Sequence, residues 1–235
     1  MNTTPVVFLP GLLCDAAVWA PQLPALGRSA TVVEYGLPES LEQMAETAIA
    51  AAPAGRFALA GHSMGGRVAF EVWRRWPERV ERLALLNTGT APLAAGAAGE
   101  TERAGRLALL DLARREGMRA MAAEWCKGML PPAALGGPVQ AEVEAMFGRR
   151  NPAVHEAQIR SLMARPDAGP LLASITCPTL VLTGELDRWS TPASHEAIHR
   201  AIAGSRLVVV PGVAHMSTLE APAAVNAALA GWLIA

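Results

Sequence analysis

The sequence predicts an α/β fold: a mostly parallel sheet, doubly wound by helices, with a helical segment inserted between its two halves. Three observations carry this. Short, near-continuous apolar runs alternate with segments of helical period. The runs stop at turn residues such as Pro10-Gly11. Between residues 89 and 170 the alternation breaks, and no convincing strand is found.

The apolar runs are Val6–Leu9, 31–35, 57–60, Val80–Leu86, 179–182 and Arg206–Val210. Continuous apolarity, rather than alternation, marks strands covered on both faces, as in a parallel sheet. Helices are expected at Leu41–Ala51 behind Ser40 as N-cap, and at 65–76, stopped by Pro77. Two more are expected at 192–202, with Thr191 as cap and Pro192 in the first turn, and at 221–233. Strand and helix in alternation define the class. The segment 89–170 is more charged than its surroundings. It shows helical stretches at 102–116 and 118–127, broken by Pro131-Pro132 and Gly136-Gly137-Pro138. It divides the chain into a first part of the core at 1–88, a helical cap at 89–170 and a second part of the core at 171–235. The Ala/Gly-rich stretch 91–99 reads as a mobile connector.

Composition narrows the function. The 235 residues carry 20 Lys+Arg against 21 Asp+Glu, a formal charge of −1. That disfavours nucleic acid and an anionic membrane surface as partners. Hydrophobic residues make up 51% and the mean hydropathy is +0.25, yet no uncharged apolar run reaches the ~18 residues of a membrane span. The three cysteines, Cys14, Cys126 and Cys177, have no CxxC spacing, so neither a disulfide scaffold nor a zinc site is expected. The first residues lack the basic start of a signal peptide, and a cytoplasmic address is the expectation.

The strongest local signal is Gly61-His62-Ser63-Met64-Gly65-Gly66, a G-x-S-x-G pattern between an expected strand and an expected helix. Such a turn is too sharp for side chains near the serine, hence Gly61 and Gly65. A serine hydroxyl needs a base. Among five histidines, His62 is expected to point away across the turn and His155 lies in the insert. His195 and His199 share a helix face, read as solvated. His215 follows a strand in Pro211-Gly212-Val213-Ala214-His215, at the same sheet edge as Ser63, and is the expected base. Of four aspartates only Asp187, in Gly184-Glu185-Leu186-Asp187, lies at that edge after the serine; it is expected to orient the imidazole. The backbone N–H groups of Met64 and Leu12 are the expected donors to a developing oxyanion. The turn Pro10-Gly11-Leu12 follows the first strand.

Taken together, Phe8-Leu9-Pro10-Gly11, the Ser63 pattern, Thr183-Gly184-Glu185-Leu186-Asp187, Gly212-Val213-Ala214-His215 and the trailing Leu219-Glu220-Ala221-Pro222 resemble the α/β-hydrolase superfamily nearly end to end. The flavour is that of compact, capped serine hydrolases, carboxylesterases among them. The resemblance implies a cap inserted after the sixth strand of the family's sheet, and a triad of Ser63, Asp187 and His215. It implies a small-molecule ester as substrate, and no metal or organic cofactor. Serine at position 63 departs from haloalkane dehalogenases and epoxide hydrolases, which carry aspartate there. Met216 stands where ring-fission carbon–carbon hydrolases typically carry tryptophan, and Pro10 stands where many relatives have histidine.

Arg67, four residues after Ser63, shares its helix face. A similar Gly-Gly-Arg follows the nucleophile in the menaquinone-pathway synthase that eliminates pyruvate from an acidic precursor, where it helps hold a carboxylate. Many esterases carry it too, so an ion pair beneath the helix is the other expectation. The insert's arginines at 103, 106, 114, 115, 119, 149 and 150 read as solvated helix faces, with contact to an acidic substrate or carrier as the other reading. Trp125, with Met121, Met129 and Met146, is a candidate apolar roof, and Met216 a candidate substrate contact.

Overall fold

The computed structural model describes residues 4–27 and 29–234. Residues 1–3, on which the reading of the leader partly rests, lie outside them. Six strands, β1 (Val6–Leu9), β2 (Ala30–Val32), β3 (Phe57–His62), β4 (Val80–Leu86), β5 (Thr179–Gly184) and β6 (Arg206–Val210), form one sheet in the order β2-β1-β3-β4-β5-β6. All five pairings are parallel. The order reverses between β1 and β3, and the crevice beyond the carboxyl ends of these strands is where such sheets form sites.

Every residue of β1, β3 and β5 is buried, as continuous apolar runs require. The edge strands β2 and β6 are partly exposed. β2 is shorter than the expected 31–35. Val33 and Tyr35 stay buried; Val33 N–H still donates to Phe8 O at 2.9 Å, and the Tyr35 hydroxyl donates to Pro10 O at 3.3 Å.

The helices of the core are α1 (Leu41–Ala51), α2 (Met64–Arg75), α7 (Pro192–Ala201), α8 (Ser217–Glu220) and α9 (Pro222–Ile234). Ser40 caps α1 through its side chain, accepting from Gln43 N at 3.2 Å. α2 starts one residue earlier than expected because Ser63 itself occupies the N-cap position. The helix expected at 221–233 is α9, displaced by one residue, and the short α8 precedes it, set off by Ala221 at φ −136° before Pro222.

The stretch between β4 and β5 holds α3 (Ala97–Glu116), α4 (Met118–Met129), α5 (Pro138–Gly148) and α6 (Pro152–Met163). α3 packs on α4 and α6, and α4 on α5. The stretch 91–99 is only partly a connector: residues from Ala97 onward form the first turn of α3, after Gly96 at φ 66°. Among the described residues no helix is long and apolar enough to cross a membrane.

Gly65 sits under the carboxyl end of β1, and a Cβ there would run into Leu9 O and Pro10 O. Backbone cannot step aside as a side chain can. Gly65→Ala is therefore expected to lower stability by about 1–3 kcal/mol, as overpacking does, read as a drop in the urea midpoint at unchanged slope.

Candidate active site

The chain turns from β3 into α2 at Ser63, whose backbone takes φ 55° and ψ −115°. A side chain on Gly61 would collide with Gly65 O, and one on Gly66 would lie 2.6 Å from the Thr88 side chain. The glycines leave room for a turn that no other residues would allow. Ser63 N–H donates to Leu86 O at 2.9 Å. Ser63 O accepts from Gly66 N–H at 3.0 Å and from the Thr88 hydroxyl at 2.7 Å.

The turn lifts Ser63 Oγ to 2.9 Å from His215 Nε2. His215 Nδ1 lies 2.8 Å from Asp187 Oδ2. Asp187 also accepts from Asn87 Nδ2 at 2.9 Å and from the N–H groups of Trp189 and Ser190, both at 2.9 Å. Burial raises the Asp187 pKa, but the His215 charge and the hydrogen bonds outweigh it and hold the carboxyl well below the usual range. A carboxylate in this state fixes the tautomer with Nδ1–H toward Asp187 and leaves Nε2 to accept the serine proton.

The other acids are engaged elsewhere. Asp15 pairs with Arg149 and Asp111 with Arg115, Asp167 accepts from Gly169 N–H, and Glu185 accepts from Gly212 N–H.

The turn after β1 abuts the serine. A side chain on Gly11 would meet Ser63 Cβ at 3.3 Å and His62 Nδ1 at 3.1 Å. Gly11 O accepts from Cys14 N–H at 3.1 Å. Among the described residues the N–H groups of Leu12 and Met64 have no acceptor, and both residues line the same cavity as Ser63 and His215. Two free amides on either side of a hydroxyl can receive negative charge developing on a carbonyl oxygen.

That cavity measures about 470 Å³. Trp125, Met129 and Met216 line it; Met121 and Met146 do not, being wholly buried in the packing of the insert. Trp189 was not anticipated. It stands 46% exposed at the rim, with its ring centroid 5.0 Å from His215 and 5.8 Å from Trp125.

One wall is charged. Arg67, Glu102, Arg106 and Arg165 all line the cavity. Arg165 holds Glu102 in a two-pronged pair at 2.7 and 2.8 Å, and Arg106 adds a third contact at 2.9 Å. Burial raises the Glu102 pKa, but these arginines bring it down to about 2. No carboxylate lies within ion-pair distance of Arg67 among the described residues. It donates to Ala91 O at 2.9 Å. Burial, then the charges of Arg165 and Arg106, push its pKa down to about 9, against the pull of Glu102. The wall thus carries three guanidinium groups and one carboxylate, which only Arg106 and Arg165 contact. Arg106 is not on a solvated face, and Arg165 was not anticipated, since its orientation depends on how the insert docks.

Two histidines also differ from expectation. His195 is fully buried, not solvated: Nε2 accepts from Thr88 N–H at 3.2 Å, and Nδ1 lies 3.1 Å from Thr191 O. Its face of α7 is the one that packs on the sheet, with Ile198 one turn on. His62 does not point away. Its Nε2–H donates to His215 O at 2.9 Å, with ring centroids 5.4 Å apart. Among the described residues no cluster of His, Cys, Asp or Glu is arranged to hold a metal ion.

Residues 4–228 match the sequence pattern of the alpha/beta hydrolase family, so the chain belongs to that family. It is 28% identical over 209 residues to the 2-hydroxy-6-oxononadienedioate/2-hydroxy-6-oxononatrienedioate hydrolase of Escherichia coli (strain K12), covering 86% of this chain and 71% of that one. It is 29% identical over 168 residues to a putative 2-succinyl-6-hydroxy-2,4-cyclohexadiene-1-carboxylate synthase of Bacillus subtilis (strain 168), covering 70% of this chain and 61% of that one. In structure it superposes on a thermophilic esterase from Thermogutta terrifontis, solved with malate bound, with a TM-score of 0.86 at 28% identity, over 98% of this chain and 89% of that one.

The depressed Glu102 pKa carries a sign. The group contributes stability above its unfolded value, near pH 4.5, and loses it as pH falls toward about 2. Glu102→Gln is expected to melt below wild type at pH 7, with the gap closing between about pH 4.5 and 2. Thermal melts across that range check it.

Proposed function

We propose that the protein is a serine hydrolase that cleaves a small carboxylic ester through an acyl-enzyme on Ser63. The observation that carries this is the unbroken line from Ser63 Oγ through His215 to Asp187 at 2.9 and 2.8 Å. In this mechanism Ser63 attacks the acyl carbon as His215 Nε2 takes its proton. Asp187 steadies the imidazolium. The oxyanion of the tetrahedral intermediate accepts from Leu12 and Met64 N–H. His215 then gives the proton to the departing alcohol. Water enters, His215 deprotonates it, and a second tetrahedral intermediate collapses to release the acid and restore Ser63. The chemistry calls for no metal or organic cofactor. The helical stretch 89–170 serves as a cap, with Trp125 and Trp189 supplying the apolar wall.

The charged wall bears on the substrate. Arg67 faces the cavity without a carboxylate partner, and a guanidinium fork suits a substrate carboxylate. Three relatives or neighbours have diacids or carboxylates in their names or as bound ligand. This supports an ester that carries a carboxylate away from the scissile bond. The same feature favours a second reading, a lyase or synthase of the pyruvate-eliminating type, in which the triad abstracts a proton and no acyl-enzyme forms. Thioesters and lactones fit the same triad as the ester does.

Turnover of p-nitrophenyl acetate, butyrate and octanoate, followed from the first turnover, separates these readings. Ester hydrolysis is expected, with kcat falling ~10⁴-fold or more in Ser63→Ala. A folded wild type that turns over none of the three, with no burst, overturns the esterase reading and moves the test to acidic substrates. Arg67→Leu is expected to raise KM for a mono-p-nitrophenyl succinate ester by roughly 10–100-fold, the worth of a hydrogen bond to charge, while KM for the butyrate stays as it is. An equal change for both esters removes Arg67 from carboxylate recognition.

A further inference from the structure

The insert meets the core at the turn that carries the Leu12 amide, through Gln158 and Arg150. This turn, Gly11 to Cys14, has a non-glycine residue in the left-handed region: Leu13, at φ 60°. Leucine is rarely found there, because its Cβ crowds the backbone. The Leu13 side chain is wholly buried and gives no local hydrogen bond of the kind asparagine could offer. The support comes from α6, 145 residues along the chain. Gln158 Oε1 accepts from Leu13 N–H at 2.7 Å, and Gln158 is itself only 2% exposed.

Other contacts flank this one. Arg150 Nη2 donates to Cys14 O at 2.8 Å and is tied to Glu34, and Arg149 pairs with Asp15. Arg149 and Glu34 are exposed, and ion pairs with such partners add little stability. Gln158 differs in being buried, neutral and aimed at an N–H. If its oxygen is removed, that N–H is left buried and unpaired, and from the insert the turn keeps only the donations of Arg150 to Leu13 O at 3.5 Å and Cys14 O at 2.8 Å. The turn would then relax by rotating its central peptide, and the Leu12 amide that precedes it would turn as well.

We propose that Gln158 is a positioning residue for the oxyanion site, holding the Gly11 to Cys14 turn in the shape that leaves the Leu12 N–H free beside Ser63. The inference rests on the serine-hydrolase reading. It adds that the insert, besides walling the cavity, sets the geometry of one catalytic donor.

The test is the second-order rate at which a fluorophosphonate labels Ser63, because the phosphoryl oxygen of that reagent needs the same two amides and no natural substrate has to be known. Gln158→Met keeps the volume and removes the acceptor. It is expected to slow labelling at least about ten-fold, a fraction of what deleting a donor outright costs, with a melting temperature lowered by only about a few degrees. Gln158→Glu keeps an acceptor oxygen at the same reach and is expected to recover most of the rate. Should Gln158→Met fail to fold, Gln158→Ala removes the acceptor without overfilling the site and takes its place. Wild-type rates in the acceptor-free variant overturn the proposal alone, and so does equal slowing in the Met and Glu variants. Absence of labelling in wild type, or labelling that survives Ser63→Ala, overturns the serine-nucleophile reading first and the proposal with it.

Discussion

Everything in the site hangs on one constrained backbone position. Ser63 sits at φ 55°, a conformation costing a non-glycine residue of order 1–3 kcal/mol that the surroundings must offset. They do so from three directions. β4 supplies Leu86 O, α2 supplies Gly66 N–H, and the Thr88 hydroxyl closes on Ser63 O. Thr88 is in turn held through its own N–H by the buried His195 of α7. The strain is thus spread over the end of β4, which bonds Ser63 directly, and over α7, which reaches it only through Thr88. The close approach of β1 to α2 at Gly65 belongs to the same arrangement, since it sets the Gly11 turn against Ser63.

The electrostatics follow a similar economy. His62, His155 and His195 are each pushed down to about 4, burial being the largest cause. All three are therefore neutral at neutral pH. That matters most for His62, which donates to the carbonyl of His215. A charged ring there would oppose the imidazolium that the proposed mechanism forms. The loop around His215 is held on every side. Glu220 accepts from Ala214 and Met216 N–H, Asn87 donates to Ala214 O, and Met129 O accepts from His215 N–H. The backbone N–H and C=O of His215 itself are both engaged, by Met129 O and by His62 Nε2.

The strands and the order of Ser63, Asp187 and His215 were legible because both depend on local pattern. Apolar runs mark strands, and a residue just past a strand falls at the sheet's carboxyl edge whatever the rest of the chain does. Side chains on helices were less legible. His195 and Arg106 looked solvated because their neighbours in sequence are polar, and only the docking of α7 and α3 turns them inward. A closer look at α7 would have found the signal for His195: Ile198 and Ile202 recur beside it at helical spacing. Arg165, Trp189 and Gln158 had no such signal, since each acts on a loop distant in sequence. Asn87 had a faint one. It is a residue tolerant of left-handed backbone, it follows β4, and it does adopt φ 48°.

The position of the insert has a consequence for how this chain could diversify. It opens after Leu86 and returns at Thr179, and the two strands it separates pair directly, Leu83 against Thr179 and Leu86 against Leu182. Closing a flexible loop costs free energy only with the logarithm of its length, about 0.6 kcal/mol for each doubling. The sheet is thus nearly indifferent to the size of what is spliced between β4 and β5. A replacement segment of another length could reshape the cavity and leave the sheet intact. It would still have to keep Asn87 and Thr88, which hold Asp187 and Ser63, and to supply an acceptor for Leu13 N–H and another for His215 N–H. Size and shape are free to drift, while these joints are not.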